Sequence, residues 1–318
     1  DDGTGAAYIF RFDGSNWYED AKLVPSDGLK YDLFGASVAI ANSGKFAVIG
    51  TPVDNDYKGS AYIFDYENNE WVEKDNLWIG DGKSGDRFGI VNISETEEQI
   101  IIGERGVAES GRAHVFMEDG DTWVRVAKFD PAEGSMVDYF AATSDINNSI
   151  AVIGARKEDG YFIDCGTFHV YMKEGNAWKF KAKVMADDAS EDQRFGTIAL
   201  YNNYIISGAT HDDENGMEAG AAYLFTYENE TWTQKAKLLA DDGFAGDWFG
   251  SAVDIYDNVA AVGAPYDNDQ GSSSGAVYLF DLSEITGTIK LNGAKPTAFA
   301  LEQNYPNPFN PITRIEFQ

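Results

Sequence analysis

The sequence predicts an all-β fold in which one four-stranded unit is repeated, and three observations support this. The motif GAAYIF at 5–10 returns almost unchanged as GAAYLF at 220–225. The glycine that opens it recurs every 52–55 residues, and a Trp and a Phe keep step with it. Glycine and aromatic residues are abundant, whereas long runs of helix-forming residues are absent, which favours short strands and tight turns. Four strands in about 50 residues is the size of a β-propeller blade.

Three positions define the repeat. The opening glycines are Gly5, Gly59, Gly111, Gly166, Gly220 and Gly275. A Trp follows at a fixed interval in five copies, as Trp17, Trp71, Trp123, Trp178 and Trp232. A Phe follows further along, as Phe34, Phe88, Phe140, Phe195 and Phe249. Chance does not align so many positions, and a repeat of this length indicates stacked structural units.

Each copy contains four short strand candidates. They are an FG segment (FGASVAI, 34–40), an apolar run (AVIG, 47–50), the GxAYIF motif, and a Trp segment (WYEDAKL, 17–23). The apolar run fits a strand in the middle of a sheet, and the charged, alternating Trp segment fits an outer strand. Because one blade cannot bury both of its faces, we expect the repeated Phe, Tyr and Trp residues to form the core between blades.

Counting the copies gives five full blades, each led by an FG segment, after an N-terminal half blade that has only the last two strands. We therefore predict a β-propeller over 1–281, a linker or irregular last strand over 282–300, and a separate segment over 301–318. On this count the intact protein has six or seven blades.

Charge and cysteine content exclude several kinds of partner. The formal net charge is −29, so the surface repels nucleic acid and anionic lipid. Cys165 is the only cysteine, which rules out an internal disulfide and a cysteine-based zinc site. No stretch approaches the roughly 18–20 apolar residues of a membrane helix, so we expect no membrane insertion.

Two copies of the repeat show its pattern well. One contains the segments DLFGASVAI, AVIGTP and GSAYIF, and a later one contains DWFGSAVDI, AAVGAP and GAVYLF. This pattern resembles the FG-GAP repeats of integrin-α-like propellers. The resemblance covers residues 5–280 and is closest to bacterial secreted members. Integrin-type blades often carry a DxDxDG calcium loop between the FG and AVIG strands. The corresponding links here, at 41–45, 94–99, 146–149, 201–203 and 256–258, lack spaced carboxylates, so that site is not expected.

Carboxylates concentrate instead in two other sets of loops. One set precedes each repeat Phe and contains Asp27, Asp32, Asp81, Asp86, Glu133, Asp138, Asp188, Asp242 and Asp247. The other follows each AVIG run and contains Asp54, Asp56, Glu158, Asp159, Asp212, Asp213, Glu214, Asp267 and Asp269. By strand order both sets lie on one face of the propeller, which the resemblance identifies as the ligand-facing side.

Two interpretations of these acids are open. They are either turn residues that accept backbone N–H groups, which we favour, or oxygen ligands of Ca²⁺. Calcium is the one cofactor considered, and its candidate ligands are Asp27, Asp32, Asp54, Asp56, Asp81, Asp86, Asp242, Asp247, Asp267 and Asp269.

The enzyme signals in the sequence are weak. Gly271–Gly275 matches G-x-S-x-G, but it feeds a strand rather than a helix, unlike a nucleophile elbow. His114 and His169 stand where other copies have Tyr, so we expect them in the core between blades. His211 lies in an acidic loop without a nearby nucleophile. We therefore expect no catalytic site.

The C-terminal stretch LEQNYPNPFNPITRIEF (301–317) has prolines that enforce an extended chain, followed by an alternating strand pattern. It resembles the start of the type A C-terminal sorting domain of type IX secretion in Gram-negative bacteria. The resemblance implies export across the outer membrane, followed by release or attachment at the cell surface, with the secretion machinery as one partner.

We predict a secreted or surface-displayed binding or adhesion module. Its ligand is an extracellular protein or glycan that the sequence does not identify. The alternative is a non-catalytic accessory propeller of a secreted enzyme whose catalytic domain lies upstream, and a third interpretation is a structural spacer at the cell surface.

Overall fold

The computed structural model of the chain describes residues 3–106, 111–120, 122–131, 138–269 and 271–283. Within these ranges the protein is all-β, with one four-residue helical turn, α1 (Asp54–Tyr57). The strands are β1 (Ala7–Phe12), β2 (Trp17–Leu23), β3 (Ser37–Ile40), β4 (Phe46–Thr51), β5 (Ser60–Glu67), β6 (Glu70–Leu77), β7 (Phe88–Ile93), β8 (Gln99–Glu104), β9 (Arg112–Asp119), β10 (Thr122–Phe129), β11 (Phe140–Ile146), β12 (Ile150–Ala155), β13 (Thr167–Glu174), β14 (Ala177–Val184), β15 (Phe195–Tyr201), β16 (Tyr204–Ala209), β17 (Ala221–Glu228), β18 (Thr231–Leu238), β19 (Ala252–Tyr256), β20 (Val259–Ala264) and β21 (Ala276–Asp281).

The strands form a five-bladed propeller preceded by a two-stranded half blade, β1–β2, which confirms the predicted fold class. Blade 1 is β3–β6, blade 2 is β7–β10, blade 3 is β11–β14 and blade 4 is β15–β18, each an antiparallel sheet in chain order. Blade 5 has three strands, β19–β21, in the described part of the chain. The predicted segments beyond it, residues 284–300 and the sorting-domain segment 301–318, lie outside the described residues.

The strand order within each blade is the predicted one. In blade 1 the FG strand β3 is first, the apolar β4 and the GxAYIF strand β5 lie between, and the Trp strand β6 is outermost. The first strands of successive blades contact each other (β3 with β7, β7 with β11), so they lie closest to the axis. Strands β8 and β12 are buried along their whole length, because sheet neighbours and adjacent blades cover both faces.

The repeated Gly and Phe form the seam between blades. Gly220, immediately before the third strand of blade 4, makes a parallel bridge with Phe249 at the start of blade 5, and four seams share this contact. Gly220 has a φ of +90°, and a Cβ there would lie 2.0 Å from the carbonyl oxygen of Phe249. The position therefore requires glycine for both its conformation and its space. The motif is repeated because each seam needs the same close backbone contact.

The core consists of apolar layers between neighbouring blades. Between blades 4 and 5, Leu224 and Ile206 pack with Phe249 and Val262 in one buried cluster. His114 and His169 are buried as expected, each 1% exposed. The expectation that the repeated Trp residues also form core is wrong for Trp17, which is 51% exposed. These Trp residues are on outer strands and pack on Phe or Tyr neighbours, as Trp17 does on Phe12 and Trp232 on Tyr227, with ring centroids 5.3 and 5.2 Å apart.

The two ends of the blade array leave apolar side chains exposed. Tyr8 and Phe10 are exposed on the half blade, and Val277 and Leu279 are exposed on blade 5. The described residues therefore do not cover these two sheet faces. In the same ranges, no helix has the length and apolar character needed to cross a bilayer.

Candidate functional site

One face of the propeller, which we call the loop face, is built by two families of loops. Entry loops lead into the first strand of each blade, and second loops join its second and third strands. The two families meet at the seams, where the N–H groups of Gly85 and Arg87 both donate to the carbonyl of Tyr57. Between blades 4 and 5 the N–H of Trp248 donates to the carbonyl of Glu218. Both sets of acidic loops therefore lie on one face, as strand order predicted.

A repeated hydrogen bond ties the acids of the second loops to the third strand. Its partner is the Tyr or His of the repeat: Tyr223 donates to Asp212 over 2.8 Å in blade 4, and Tyr278 donates to Asp267 over 2.8 Å in blade 5. In blade 3 the pair is His169 with Glu158, with nitrogen and oxygen 2.6 Å apart. The acid is thus Asp in blades 4 and 5, where the repeat position is Tyr, and Glu in blade 3, where it is His.

Blade 4 holds an ammonium group among three carboxylates. Lys237 on the outer strand β18 lies 2.7 Å from Asp188 Oδ2, 2.8 Å from Asp212 Oδ2 and 2.7 Å from Glu214 Oε2. Burial would lower the pKa of Lys237, but hydrogen bonds to these carboxylates outweigh it and raise the pKa. Burial would likewise raise the pKa of Asp212, but Lys237 and Gln193 hold it below its ordinary value. This site has its own cation.

Blades 2 and 3 also supply cations to the corresponding acids. In blade 3 Lys183, which stands one repeat before Lys237, lies 3.0 Å from Glu158. Burial raises the pKa of Glu158, yet His169 and Lys183 bring it below its ordinary value. In blade 2 the acid is Glu104, the last residue of β8 rather than a loop residue; Arg112 lies 2.6 Å from it, and its carboxylate also contacts His114.

Blade 5 gathers three of the calcium candidates. Carboxylate oxygens of Asp242, Asp267 and Asp269 lie within 4.8 Å of one another. Tyr278 donates to Asp242 and to Asp267, both over 2.8 Å, and no ion pair to these three acids occurs within the described ranges. The charge of Asp267, with a contribution from burial and from Asp242, raises the pKa of Asp269. The three acids are the counterparts of Asp188, Asp212 and Glu214, and the position corresponding to Lys237 lies outside the described residues.

Blade 1 brings together two candidates and leaves a third exposed. Tyr62 donates to Asp27 over 2.8 Å and lies 3.4 Å from Asp54, which also accepts a hydrogen bond from Ser60. Asp56 is exposed on α1. Asn76 stands across from Tyr62, where blade 4 has Lys237, so this site lacks the lysine.

Three further candidates are turn residues, as the favoured interpretation expected. Asp32, Asp86 and Asp247 are buried, and each accepts a backbone N–H from three residues upstream: Leu29, Lys83 and Phe244, over 2.5–2.6 Å. These bonds close the entry loops. Asp81 is separate from the other acids, with an 82% exposed side chain 3.9 Å from Arg125. Glu133 lies outside the described residues.

Sequence reasoning missed a cationic cluster at the axis, which we call the axial cluster: Arg87, Arg105, Arg156, Lys157 and Arg194. Arg87 and Arg194 immediately precede the inner strands, and the others immediately follow the second strands. The Arg105 guanidinium and the Lys157 ammonium each lie 5.8 Å from the ring centre of Tyr139. Burial, together with the charges of Arg105 and Arg194, lowers the pKa of Arg156. The recurrence of Arg at two repeat positions was the signal that could have revealed it.

Large apolar side chains are exposed around this cluster. Tyr161 is 85% exposed and Phe244 is 75% exposed. The exposed apolar residues of the loop face are Leu29, Tyr31, Leu33, Tyr57, Tyr139, Tyr161, Phe162, Ile163, Met217, Phe244 and Tyr266. The turns of the opposite face, such as 42–45, 67–70 and 202–203, consist mainly of Asn, Ser, Gly and Glu. The loop face is thus the more apolar of the two faces.

Three segments of the chain, residues 17–64, 178–225 and 232–280, match the FG-GAP repeat family model. The chain has no match among curated proteins. Each matched segment begins at or beside a Trp strand and ends in the GxAYIF strand of the next blade, so one sequence repeat spans two neighbouring blades. These three segments, which together make up less than half of the chain, are therefore similar to FG-GAP repeats, and the fold arranges the chain as a five-bladed propeller.

Proposed function

We propose that this propeller is a secreted or cell-surface binding or adhesion module, without catalytic activity, and that its loop face contacts the ligand. The observation that carries the proposal is the set of exposed aromatic and apolar side chains on that face. Exposed apolar patches bordered by polar groups mark interaction sites, because leaving such side chains in water has a cost that only binding removes. The FG-GAP repeats support the same function.

The ligand class that fits this face is an extracellular protein or glycan. Tyr and Phe rings can pack on either, and the acidic loops around them disfavour nucleic acid and anionic membranes. Similarity to integrin-α-like propellers supports a ligand on this side. The accessory propeller of a secreted enzyme remains the alternative; it uses the same face, but its partner is the enzyme's own substrate polymer.

The test is binding of the purified chain to a panel of extracellular matrix proteins and bacterial and plant polysaccharides. The variant Tyr161→Ser/Phe244→Ser removes two of the most exposed rings of the loop face. Tyr256→Ser is the matched control, because Tyr256 is 71% exposed at the β19–β20 turn on the opposite face. We expect the double variant to lose most of the signal and the control to retain it. Equal signals from both variants would contradict the assignment of the face.

The route to the cell surface rests on residues 301–318 and is proposed separately. We expect a Gram-negative host that carries type IX secretion to export the chain. A chain from which residues 301–318 are deleted should stay inside the cell. Immunoblots of the cell and medium fractions measure this. Equal export of both forms would refute the proposed route.

A further inference from the structure

The cations of the chain are gathered where the first strands converge. The protein has 24 Lys and Arg residues against 53 Asp and Glu residues. Even so, the axial cluster brings five cations to the innermost part of the loop face, from blades 2, 3 and 4. Like charges so close together disfavour the folded state unless an anion offsets them. The cluster therefore needs a reason other than stability.

Part of the donor capacity of the cluster is unused. Lys157 has Asp164 at 3.9 Å and Arg194 has Asp192 at 2.9 Å. By contrast, the Nε–H groups of Arg87 and Arg156 are buried and have no hydrogen-bond partner in the described part of the chain. Buried polar groups are nearly always hydrogen-bonded, and a carboxylate is the acceptor that matches a guanidinium best.

Two residues of the axial cluster, Arg87 and Arg194, have a backbone conformation that is unfavourable for residues other than glycine. The residue before each repeat Phe has a positive φ, between 53° and 62°, in all five blades: Leu33, Arg87, Tyr139, Arg194 and Trp248. The N–H of Arg194 donates to Asp164, a second-loop residue that also has a positive φ. Positive φ is unfavourable for residues other than glycine, so the surrounding structure must maintain it. Because it occurs in all five blades, it is part of the repeat geometry, and it fixes the backbone from which Arg87 and Arg194 project.

The charge pattern of the face selects the type of anion. The cations come from blades 2, 3 and 4, while the blades on either side present acids, such as Asp56 in blade 1 and the Asp242–Asp267–Asp269 group in blade 5. A uniformly anionic polysaccharide would gain contacts at blades 2–4 but meet repulsion at blades 1 and 5. A segment with one carboxylate between basic side chains complements both zones.

We infer that the axial cluster binds a carboxylate side chain of a partner protein, presented by a segment in which basic residues flank that carboxylate. Arg87 and Arg156, which are half-buried, donate to the carboxylate through their guanidinium groups, and the acids of blades 1 and 5 contact the flanking basic groups. The inference rests on the proposed function of the loop face and specifies the chemistry of its ligand.

The test uses the full chain labelled with ¹⁵N-arginine, so that each Nε–H gives its own NMR signal. The probe is the peptide Ser-Lys-Gly-Glu-Gly-Lys-Ser, and its Gln analogue is the control ligand. We expect saturable shifts of the Arg87 and Arg156 signals with the Glu peptide only. Arg11 is paired with Asp20 on the half blade and should not respond. Arg156→Gln should weaken binding about tenfold, as expected for one lost charged hydrogen bond. Lys179→Gln, the same charge change on an outer strand, should not.

The remaining outcomes overturn the inference in distinguishable ways. Equal shifts with the Gln peptide would show that the carboxylate is not recognised. Stronger shifts with oligogalacturonate than with the Glu peptide would assign the cluster to acidic glycans. If neither probe shifts these signals while the extracellular panel still loses binding in the Tyr161→Ser/Phe244→Ser variant, the cluster is not the ligand site although the loop face is. The wild-type spectra alone decide these cases if Arg156→Gln fails to fold.

Discussion

Blades 4 and 5 bring three carboxylates together at the same repeat positions, but their described residues differ in whether a cation lies among them. In blade 4 the ammonium of Lys237 lies 2.7–2.8 Å from three carboxylates. In blade 5 the three equivalent carboxylates lie within 4.8 Å of one another, and Asp242 and Asp267 share the hydroxyl of Tyr278. The turn is the same in both, because Glu214 and Asp269 donate their N–H groups to Asp212 and Asp267. Blade 1 shows what the outer strand contributes, because Asn76 stands there across from the repeat Tyr where blade 4 has Lys237, and only the lysine brings a cation to the acids.

The largest effect is expected from the seam that joins the two blades. Gly220→Ala places a methyl group 2.0 Å from the Phe249 carbonyl at a φ of +90°. Strain and overpacking together should lower the free energy of unfolding by about 4 kcal/mol, measured in urea. Gly175→Ala is the control, because Gly175 also has a positive φ but no atom within 4 Å. It should cost about 1 kcal/mol. Equal losses would mean that the close contact does not matter.

Removal of the blade 4 cation should have the next largest effect. Lys237→Met leaves Asp212 buried without its ammonium partner, so the free energy of unfolding should fall by about 3 kcal/mol. Lys235→Met is two residues away on the same strand and removes only an exposed pair with Glu228. The control should lose about 0.5 kcal/mol or less. Similar losses in both variants would show that the three-carboxylate site adds nothing.

The contribution of Lys237 should depend on pH. The pKa of Asp212 is lower in the folded state than in the unfolded chain, because Lys237 and Gln193 outweigh its burial. The unfolded state therefore binds more protons, and the stabilisation is present above pH about 4 and lost as pH falls further. We expect the urea midpoints of the wild type and Lys237→Met to converge between pH 5 and pH 3. A constant difference across this range would contradict the charge pairing.

The smallest effect has opposite signs in the two blades. Asp269→Asn removes one of three like charges in blade 5, whose neighbour Asp267 raises the pKa of Asp269. The melting temperature in chelator should therefore rise slightly. Glu214→Gln is the same change at the equivalent position of blade 4, where it removes a partner of Lys237 and should lower the melting temperature slightly. Differential scanning calorimetry measures both, and shifts of the same sign would refute the comparison.

The sequence was sufficient for the fold because the constraints at each seam are local and repeated. Gly220 and Phe249 occupy fixed positions in each copy, and the apolar runs predicted the central strands. The pairing of His169 with Glu158 was not predictable, because a cross-strand contact is visible only once the register is known. Trp17 was misassigned because an outer-strand Trp is buried by the preceding blade, as Trp232 is by blade 3, and the described residues place no blade before the half blade.

The candidate acids could be identified from the sequence, but their roles could not. Asp32 and Asp247 stand close to acidic neighbours in the chain, yet their carboxylates point at turn N–H groups, so the sequence could not separate them from Asp242. The axial cluster depends on how entry loops and second loops of different blades converge, which no single copy reveals. Its arginines recur, but their proximity follows only from the packing of the inner strands of neighbouring blades.

Calcium calorimetry with matching thermal melts tests most directly the claim that the outer-strand residue decides the state of the acidic site. Wild type should show one class of saturable heat, lost in Asp242→Asn, and a calcium-dependent rise in melting temperature. Lys237→Met should acquire a second class at Asp188, Asp212 and Glu214, and calcium should restore part of its stability. Flat heats in Lys237→Met, with no recovery of its melting temperature, would contradict the account.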